Sequence, residues 1–294
     1  MKEEYFMETL TSKIDFAVIV TVKNANPNGD PLNGNRPRVN YDGLGELSDV
    51  CIKRKIRNRL MEEGHPIFVQ SDDNRVDDYP SLRKRAEGEI NKDDWKDEKK
   101  FREAVCKKWI DVRTFGQVFA YEGEKKGGGV SIGIRGPVSI HSAFSVAPVI
   151  DRISSIQITK SVSSEGDGTK KASDTMGMKH RVDHGVYVFY GSMNPQLASK
   201  TGFSDQDAEA IKQALITLFQ NDASSARPEG SMEVYKVYWW KHNCKNGQYS
   251  SAKVHRSLQV TLRPDVTGPK DIEKDYDIKL QELPGLAPEI IDGR

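Results

Sequence analysis

The stretch IDFAVIVTVK, at residues 14–23, is apolar almost throughout and rich in β-branched residues. A run of this kind predicts a central strand that is buried on both faces. The next stretch, NANPNGDPLNGNRPR at residues 24–38, holds three prolines and two glycines, so it predicts a loop with fixed bends. A helix-forming segment, SDVCIKRKIRNRLMEE, follows at residues 48–63.

The helix in this segment has clear start and stop signals. Ser48 is a good N-cap with Asp49 behind it, and Gly64 is a typical residue to follow a helix C-terminus. At 100° per residue, Ile52, Ile56 and Leu60 share one face and are expected to be buried. Residues 67–70 are apolar enough to predict a second short strand.

The rest of the chain alternates between further elements and polar insertions. Residues 71–100 are highly charged and predict a solvated insertion with some helix, and residues 101–119 regain helical periodicity. Strands are expected at 130–140, 153–162 and 185–190, with a polar excursion between the last two that predicts a hairpin-like protrusion. A helix is expected at 203–222, with Ser204 and Asp207 as a capping box, followed by strands at 232–240 and 257–262. The last thirty residues predict a tail along the surface or partly disordered.

This order of elements predicts one α+β domain, with a mainly antiparallel sheet and two packed helices. A ferredoxin-like core with large insertions is the simplest arrangement that fits. Lys and Arg number 44 against 43 Asp and Glu, for a net charge of +1, so a protein that is basic all over is excluded. The apolar runs are too short to span a bilayer, no secretory signal is visible, and three widely spaced cysteines favour a reducing cytoplasm.

A basic strip lies along the predicted helix and the loop before it. Lys53 and Arg57 lie together on one flank of the helix with Arg54 a little beyond, while Lys55 points the other way. Arg36 and Arg38 leave the loop just upstream. Such a strip could neutralise several phosphates of a nucleic acid. The alternative is an ordinary solvated amphipathic helix.

The polar excursion at residues 160–181 is the second candidate for binding. It carries Lys160, Lys179 and Arg181, with Met176 and Met178 near its end. A basic arm with flexible thioethers could hold a nucleic-acid backbone and wedge beside bases. The alternative is a disordered surface loop.

Motifs for catalysis or cofactor binding are weak. His180 and His184 have i, i+4 spacing but lack the Glu that a zincin needs, and no nucleotide-binding or nucleophile motif is present. We therefore predict no cofactor, no metal and no enzymatic activity. The alternative is a metal-dependent nuclease or RNA-processing enzyme that uses His180, His184 or the carboxylates near Asp72.

Several unusual motifs follow one another along the chain. The loop at 24–38 and LSDVCIKRKIRNRL come first, and TFGQVF at 114–119, IRGPVSIHSAFSVAPV at 134–149 and DTMGMKHRVDHGVYVFYGSMNP at 174–195 follow. Together they resemble the backbone subunit of the CRISPR type I-C Cascade complex, in the Csd-two-like branch of the Cas-seven superfamily. The similarity spans roughly residues 14–262.

The resemblance implies a hand-shaped α+β fold. Its parts would be an RRM/ferredoxin-like palm, a finger insertion at about 71–112, a protruding thumb hairpin at about 160–184 and a C-terminal tail at about 264–294. It also implies a non-catalytic scaffold for antiviral defence in the cytoplasm. Copies would form a helical filament along CRISPR guide RNA and present it to a target DNA strand. Other partners would be the repeat-handle-binding and large Cascade subunits and, indirectly, a helicase-nuclease.

The resemblance also suggests which residues bind RNA. The candidates are Asn28, Arg36 and Arg38 in the loop, Lys53, Arg54 and Arg57 on the helix, Gln117 after the glycine turn, and Lys160, Met176, Met178, Lys179 and Arg181 in the thumb. The chain lacks the aromatic signature of an RRM strand, so base stacking on the sheet is not expected. Binding through backbone contacts predicts low sequence preference.

Overall fold

The computed structural model describes residues 8–121, 130–159 and 176–294 of the 294-residue chain. Its strands are β1 (Ile14–Ala25), β2 (Gly29–Asp30), β3 (Arg36–Pro37), β4 (Leu44–Leu47), β5 (Gly116–Tyr121), β6 (Val130–Arg135), β7 (Val138–Ile140), β8 (Ala143–Pro148), β9 (Ile153–Thr159), β10 (Met176–Met193), β11 (Met232–Lys241), β12 (Leu258–Leu262), β13 (Tyr276–Leu280) and β14 (Glu289–Asp292). Its helices are α1 (Asp49–Glu62), α2 (Leu82–Glu89), α3 (Glu98–Lys108), α4 (Ile110–Phe115), α5 (Pro195–Thr201), α6 (Asp205–Ile216), α7 (Ser251–Ser257) and α8 (Ile272–Asp275). In the described ranges, no helix is long and apolar enough to cross a membrane.

The main sheet has the strand order β14-β11-β1-β10-β8-β4, with β7 and β9 also paired to β10. Every neighbouring pair in it is antiparallel. The expected α+β fold with a mainly antiparallel sheet is therefore confirmed.

Strand β1 is the central strand of this sheet, and both of its faces are covered. Phe16 and Val18 pack into a core with helices α1 and α6, whereas Ala17 and Ile19 pack against α7, β12 and β13 on the other face. Burial on both faces explains why the sequence of β1 is apolar almost throughout, even though its neighbours run antiparallel.

Helices α1 and α6 follow their sequence signals. In α1, the Ser48 hydroxyl accepts a hydrogen bond from the Cys51 amide at 3.3 Å, and Gly64 adopts a φ of +85° just beyond the end. Ile52, Ile56 and Leu60 of α1 are fully buried, as expected. In α6, the predicted capping box of Ser204 and Asp207 is present. These predictions are confirmed.

Two local predictions are wrong. Residues 67–70 form no strand, because the amides of Phe68 and Val69 donate to the Asp111 carboxylate instead of to a ladder partner. The helix expected over 101–119 is interrupted at Trp109, whose backbone is extended. It then ends before Gly116, where a φ of +81° starts strand β5.

The charged insertion is less solvated than its composition suggests. Its helix α2 contributes Ala86 to a separate hydrophobic cluster, and Ile90 just after the helix joins the same cluster. The cluster also includes Phe101 of α3 and Phe119 of β5. The cluster needs few apolar residues from the charged insertion, because the ring of Phe68 packs on the rings of Trp109 and Phe119.

Several strand boundaries also differ from the expectations. The strand expected over 130–140 is divided into β6 and β7 at residues 136–137, and β10 is much longer than residues 185–190. Helix α7 was not expected. The C-terminal residues are ordered rather than partly disordered, because β13 pairs with β12 and β14 pairs with the edge of β11. The part of the expected 153–162 strand beyond Thr159 lies outside the described residues.

Candidate nucleic-acid interface

The loop at residues 24–38 is held against the start of α1 by one side chain. The Asn28 Oδ1 atom accepts hydrogen bonds from the Ser48 amide at 3.0 Å and the Ser48 hydroxyl at 2.9 Å. Strands β2 and β3 pair within the loop, with Asp30 opposite Arg36. Asn28 thus fixes the loop, and the short hairpin positions the two arginines that the sequence singled out.

Arg36 connects this loop to the base of the β9–β10 hairpin. Its Nη1 donates to the Ser155 hydroxyl at 3.1 Å, and the same hydroxyl lies 2.7 Å from His180 Nδ1. Partial burial, with the nearby charge of Arg36, lowers the pKa of His180 from its ordinary value. A neutral imidazole can therefore sit beside the guanidinium at neutral pH. We call these three side chains the loop–hairpin junction.

The RNA-binding candidates that the sequence places in the thumb follow along the same hairpin. Lys179 pairs with Ile156 in the ladder, and Arg181 pairs with Ser154, to whose hydroxyl its Nε donates at 3.2 Å. The Met178 side chain is 54% exposed, which leaves its thioether accessible. Lys160 and the side chain of Met176 lie outside the described residues.

Arg38 lies on the other side of the loop, near the N-terminal end of α1. Its Nη2 is 3.6 Å from Asp30 Oδ1. Its Nε is buried and, within the described part of the chain, has no hydrogen-bond partner. The Arg38 side chain is 36% exposed, and this exposed part retains the capacity to bind an anion.

Arg54 and Arg57 of α1 face the base of the insertion. Arg54 Nη1 donates to the Val69 carbonyl at 2.7 Å, and burial lowers the Arg54 pKa. Arg57 Nε donates to Asp111 Oδ2 at 3.0 Å, and its guanidinium lies 5.1 Å from the centre of the Phe115 ring. Both guanidinium groups therefore hold segments of the protein together.

Lys53 and Lys55 differ sharply in their surroundings. Lys53 forms an ion pair of 2.8 Å with Asp49, one turn earlier on the same helix, and both side chains remain partly exposed. Lys55 does point away from Lys53, but it is buried, where it pairs with Asp222 and lies 5.3 Å from the Phe219 ring. Burial lowers the Lys55 pKa. Sequence periodicity gave the direction of Lys55 but no sign of its distant acidic partner.

Gln117 lies in β5, two residues after Phe115, and its side chain donates to the Val118 carbonyl at 3.0 Å. The structure thus separates the candidates into two groups. One group lies along the loop and hairpin: Asn28, Arg36, Arg38, Met178, Lys179 and Arg181. The other lies near the base of the insertion: Arg54, Arg57 and Gln117. Lys53, paired with Asp49 on α1, belongs to neither group. Ser155, which joins loop to hairpin, carries no sequence signal because single serines are common in exposed strands.

The residues of the alternative nuclease site are dispersed. His180 contacts Ser155, whereas His184 is buried against Tyr276, 6.0 Å between ring centres, on the second face of the sheet. Asp72 lies in a short turn of the insertion. Among the described residues, no three His, Cys, Asp or Glu side chains converge in a way that could hold a metal ion.

Two solved structures share a general similarity with this chain. One is a chain of a "CRISPR RNA-guided surveillance complex, pre-nicking", at 12% identity and a TM-score of 0.45, covering 87% of this chain and 84% of the other. The second is a chain of a "CRISPR RNA-guided surveillance complex", at 16% identity and a TM-score of 0.42, covering 78% and 69%. Both scores are below 0.5, so neither supports a detailed comparison.

The sequence comparisons are more specific. A protein of Haloferax volcanii named CRISPR-associated protein Cas7 is 27% identical over 229 residues, which cover 74% of this chain and 67% of that protein. The family model for CRISPR-associated protein Cas7 matches residues 12–281. Because that match covers most of the chain, including every strand of the main sheet except the edge strand β14, the chain belongs to the CRISPR-associated protein Cas7 family.

Proposed function

We propose that this protein is a non-catalytic backbone subunit of a type I-C Cascade complex, in the Csd-two-like branch of its family. Copies of the chain polymerise along CRISPR guide RNA as a helical filament in the cytoplasm. The filament presents the guide for pairing with a target DNA strand in antiviral defence. Repeat-handle-binding and large subunits complete the complex, and a helicase-nuclease acts on the DNA indirectly through it.

The observation that carries this proposal is the loop–hairpin junction. Arg36 on the loop reaches Ser155 and His180 on the hairpin, so two basic segments that are far apart in sequence form one continuous surface. Lys179 and Arg181 of β10 lie on the opposite face of the hairpin from His180, because successive side chains of a strand alternate, and Arg38 lies on the loop with Arg36. Spaced arginines and lysines on both faces of the hairpin fit the regular charges of a nucleic-acid backbone and need no particular base sequence.

The strand order supports a ferredoxin-like palm. The order β11-β1-β10-β8, with α1 following β1 and α6 following β10, matches that of a split βαβ fold. We propose that the insertion at about 71–112 is the finger, that residues 160–184 are the thumb and that residues 264–294 are a C-terminal tail on a single domain.

The decisive experiment is to purify the full chain from a host that supplies guide RNA and partner subunits, without added nuclease. Sequencing of the bound nucleic acid is expected to give short repeat-plus-spacer RNAs in proportion to the protein. Protein from such a host that carries no guide RNA would contradict the proposal. RNA that is cleaved with turnover, in a manner sensitive to chelators, would favour the nuclease alternative instead.

The residues are tested by the salt dependence of RNA binding. Each phosphate contact on a single strand contributes about 0.7 to the slope of log affinity against log salt concentration. Arg36→Gln combined with Arg38→Gln is therefore expected to reduce the slope by about 1.4. The matched control is Lys200→Gln with Lys279→Gln, which changes two exposed lysines elsewhere and is expected to leave the slope unchanged. An unchanged slope in the arginine variant would refute the assignment.

A further inference from the structure

The hydrogen bonds of the loop–hairpin junction determine where the proton of His180 lies. Arg36 Nη1 donates to the Ser155 hydroxyl at 3.1 Å, and that hydroxyl lies 2.7 Å from His180 Nδ1. Because a guanidinium can only donate, the Ser155 oxygen is the acceptor toward Arg36, and its own hydrogen is free to bond His180 Nδ1. The neutral ring then carries its proton on Nε2 and presents an N–H donor.

The remaining donors of Arg36 and His180 are accessible. Both side chains are half-buried at most, and the two bonds that join them through Ser155 lie at the surface. In the described part of the chain, Arg36 forms no ion pair, and His180 Nε2 has no hydrogen-bond partner. A guanidinium and an imidazole N–H that are held around one hydroxyl are suited to bind an oxyanion together.

The charges around the junction leave it positive. Among the described residues, the charge that acts on the His180 pKa is that of Arg36, and no carboxylate contributes. Asp30 lies across the ladder from Arg36, but its Oδ1 accepts from the Leu32 amide at 3.2 Å and lies 3.6 Å from Arg38 Nη2. On the His180 face of β9, Ser155 and Gln157 are uncharged. Three charged neighbours on β10 project from the opposite face: Lys179, Arg181 and Asp183.

The charge state of His180 depends on what occupies the junction. Partial desolvation, with the charge of Arg36, lowers the His180 pKa, so the ring is neutral at pH 7 in the free protein. An anion beside both groups would offset the charge of Arg36 and favour the imidazolium. Ser155 can accommodate this change, because its oxygen can accept from Arg36 and from Nδ1–H together while its hydroxyl hydrogen turns toward the anion.

We propose that Arg36, Ser155 and His180 bind an oxyanion of the phosphate type, and that binding is coupled to the uptake of one proton by His180. In the bound form, the guanidinium, the Ser155 hydroxyl and His180 Nε2–H donate to the anion. The proton comes from solvent and returns to solvent on release. The identity of the anion, a phosphate of guide RNA, rests on the proposed function. His180 is then an RNA-binding residue, and acidification strengthens binding.

The direction of the pH dependence follows from linkage between proton and anion. The His180 pKa is higher in the bound form, so affinity rises as the pH falls through the bound pKa and becomes constant below the free pKa. The free pKa lies below the ordinary value of 6.5. A rise of about 0.5 pH unit in the titration midpoint corresponds to about a 3-fold difference in affinity between the two protonation states.

The first experiment needs no RNA. The ring signals of the six histidines of the full chain are followed by NMR pH titration, in sodium sulfate and in sodium chloride of equal ionic strength. The signal that is missing in His180→Gln identifies that residue. Sulfate is expected to raise the His180 midpoint by at least about 0.5 pH unit relative to chloride. An unchanged His180 midpoint, or an equal rise for all six histidines, would overturn the proposal.

Arg36→Gln is expected to give two responses of opposite sign. In chloride, the His180 midpoint should rise, because one cause of its lowered pKa is removed. The additional rise in sulfate should shrink to less than about 0.2 pH unit, because the charged donor is lost. If sulfate raised the His180 midpoint equally in Arg36→Gln and in the original chain, the two residues would not share an anion and the proposal would fail.

The second experiment measures the RNA affinity of the full chain at pH 7.5 and 5.5 at constant ionic strength. The original chain is expected to bind at least about 3-fold more tightly at the lower pH, and His180→Gln should lose this gain. The matched control is His65→Gln, at a half-buried position after α1, and it should keep the gain. Equal pH dependence in His180→Gln and the original chain would overturn the coupling. A sulfate response of His180 in a chain that binds no guide RNA would support the oxyanion site and contradict the proposed function.

Discussion

Asp111 is expected to be one of the most sensitive positions in the chain. Its carboxylate is fully buried and accepts three hydrogen bonds, from the Phe68 amide at 2.7 Å, the Val69 amide at 3.0 Å and Arg57 Nε at 3.0 Å. These bonds join α4 to α1 and to the segment that leads into the insertion. Asp111→Ala removes all three at once.

The magnitude follows from the groups that Asp111→Ala leaves unsatisfied. Each buried amide that loses its acceptor costs about 1–3 kcal/mol, and breaking a buried ion pair by removing one partner costs about 3–5 kcal/mol. These costs overlap, because the groups share one site and water can enter it. We expect the free energy of unfolding to fall by about 3–5 kcal/mol for Asp111→Ala, and by about half as much for Asp111→Asn, which keeps one acceptor oxygen.

The assay is urea unfolding followed by tryptophan fluorescence, because Trp109 packs 4.7 Å from the Phe68 ring beside Asp111. The exposed Asp73→Ala is the matched control and is expected to change the free energy of unfolding by less than about 0.5 kcal/mol. Adding Arg57→Met to Asp111→Ala is expected to cost about 1–2 kcal/mol less than the sum of the single changes, because the unpaired charge is removed. A loss below about 1 kcal/mol for Asp111→Ala would refute this account.

Three further results are expected. Lys55→Met keeps the length of the side chain but leaves Asp222 with Arg227 as its remaining cation. In the same urea assay, this variant is expected to lower the free energy of unfolding by about 1–2 kcal/mol, and Lys55→Ala is expected to lower it by more. Burial lowers the pKa of His255, so the unfolded chain takes up a proton at higher pH than the folded one. The free energy of unfolding should therefore fall as the pH decreases below about 6.5, and a urea series from pH 7.5 to 5.5 should be flatter for His255→Gln. Deleting residues 162–179 should leave a folded protein, by circular dichroism and its urea midpoint, that fails to assemble on guide RNA; normal assembly would contradict the thumb proposal.

Local signals were sufficient for elements whose partners are close in sequence. The N-cap of α1 and the capping box of α6 involve residues three positions apart, so the sequence alone identifies them. The buried character of β1 is equally local, because burial on both faces requires apolar residues at successive positions. These elements fix the centre of the fold.

Other features depend on partners far away in the chain. Residues 67–70 have the composition of a strand, but Asp111, more than 40 positions later, takes their amide hydrogens. Strand β14 is short and acidic, and it is ordered by pairing with β11 and by ion pairs to Lys212 and Lys236. Similarly, charge counting placed Arg57 on a basic strip without revealing that Asp111 neutralises it.

The ion-pair and hydrogen-bond partners of the cations on α1 determine which of these cations remain available to bind an RNA backbone. Lys55 pairs with Asp222, Arg57 with Asp111, and Arg59 donates to Thr217 at 3.0 Å, so this helix joins three distant segments. In a chain whose net charge is only +1, these cations are neutralised within the fold. We therefore propose that, among the described residues, the positive surface offered to RNA lies on the loop and hairpin, around Arg36. Removing cations from α1 should then lower stability and RNA affinity together. Changes at Arg36 should lower RNA affinity while changing the free energy of unfolding by less than about 0.5 kcal/mol.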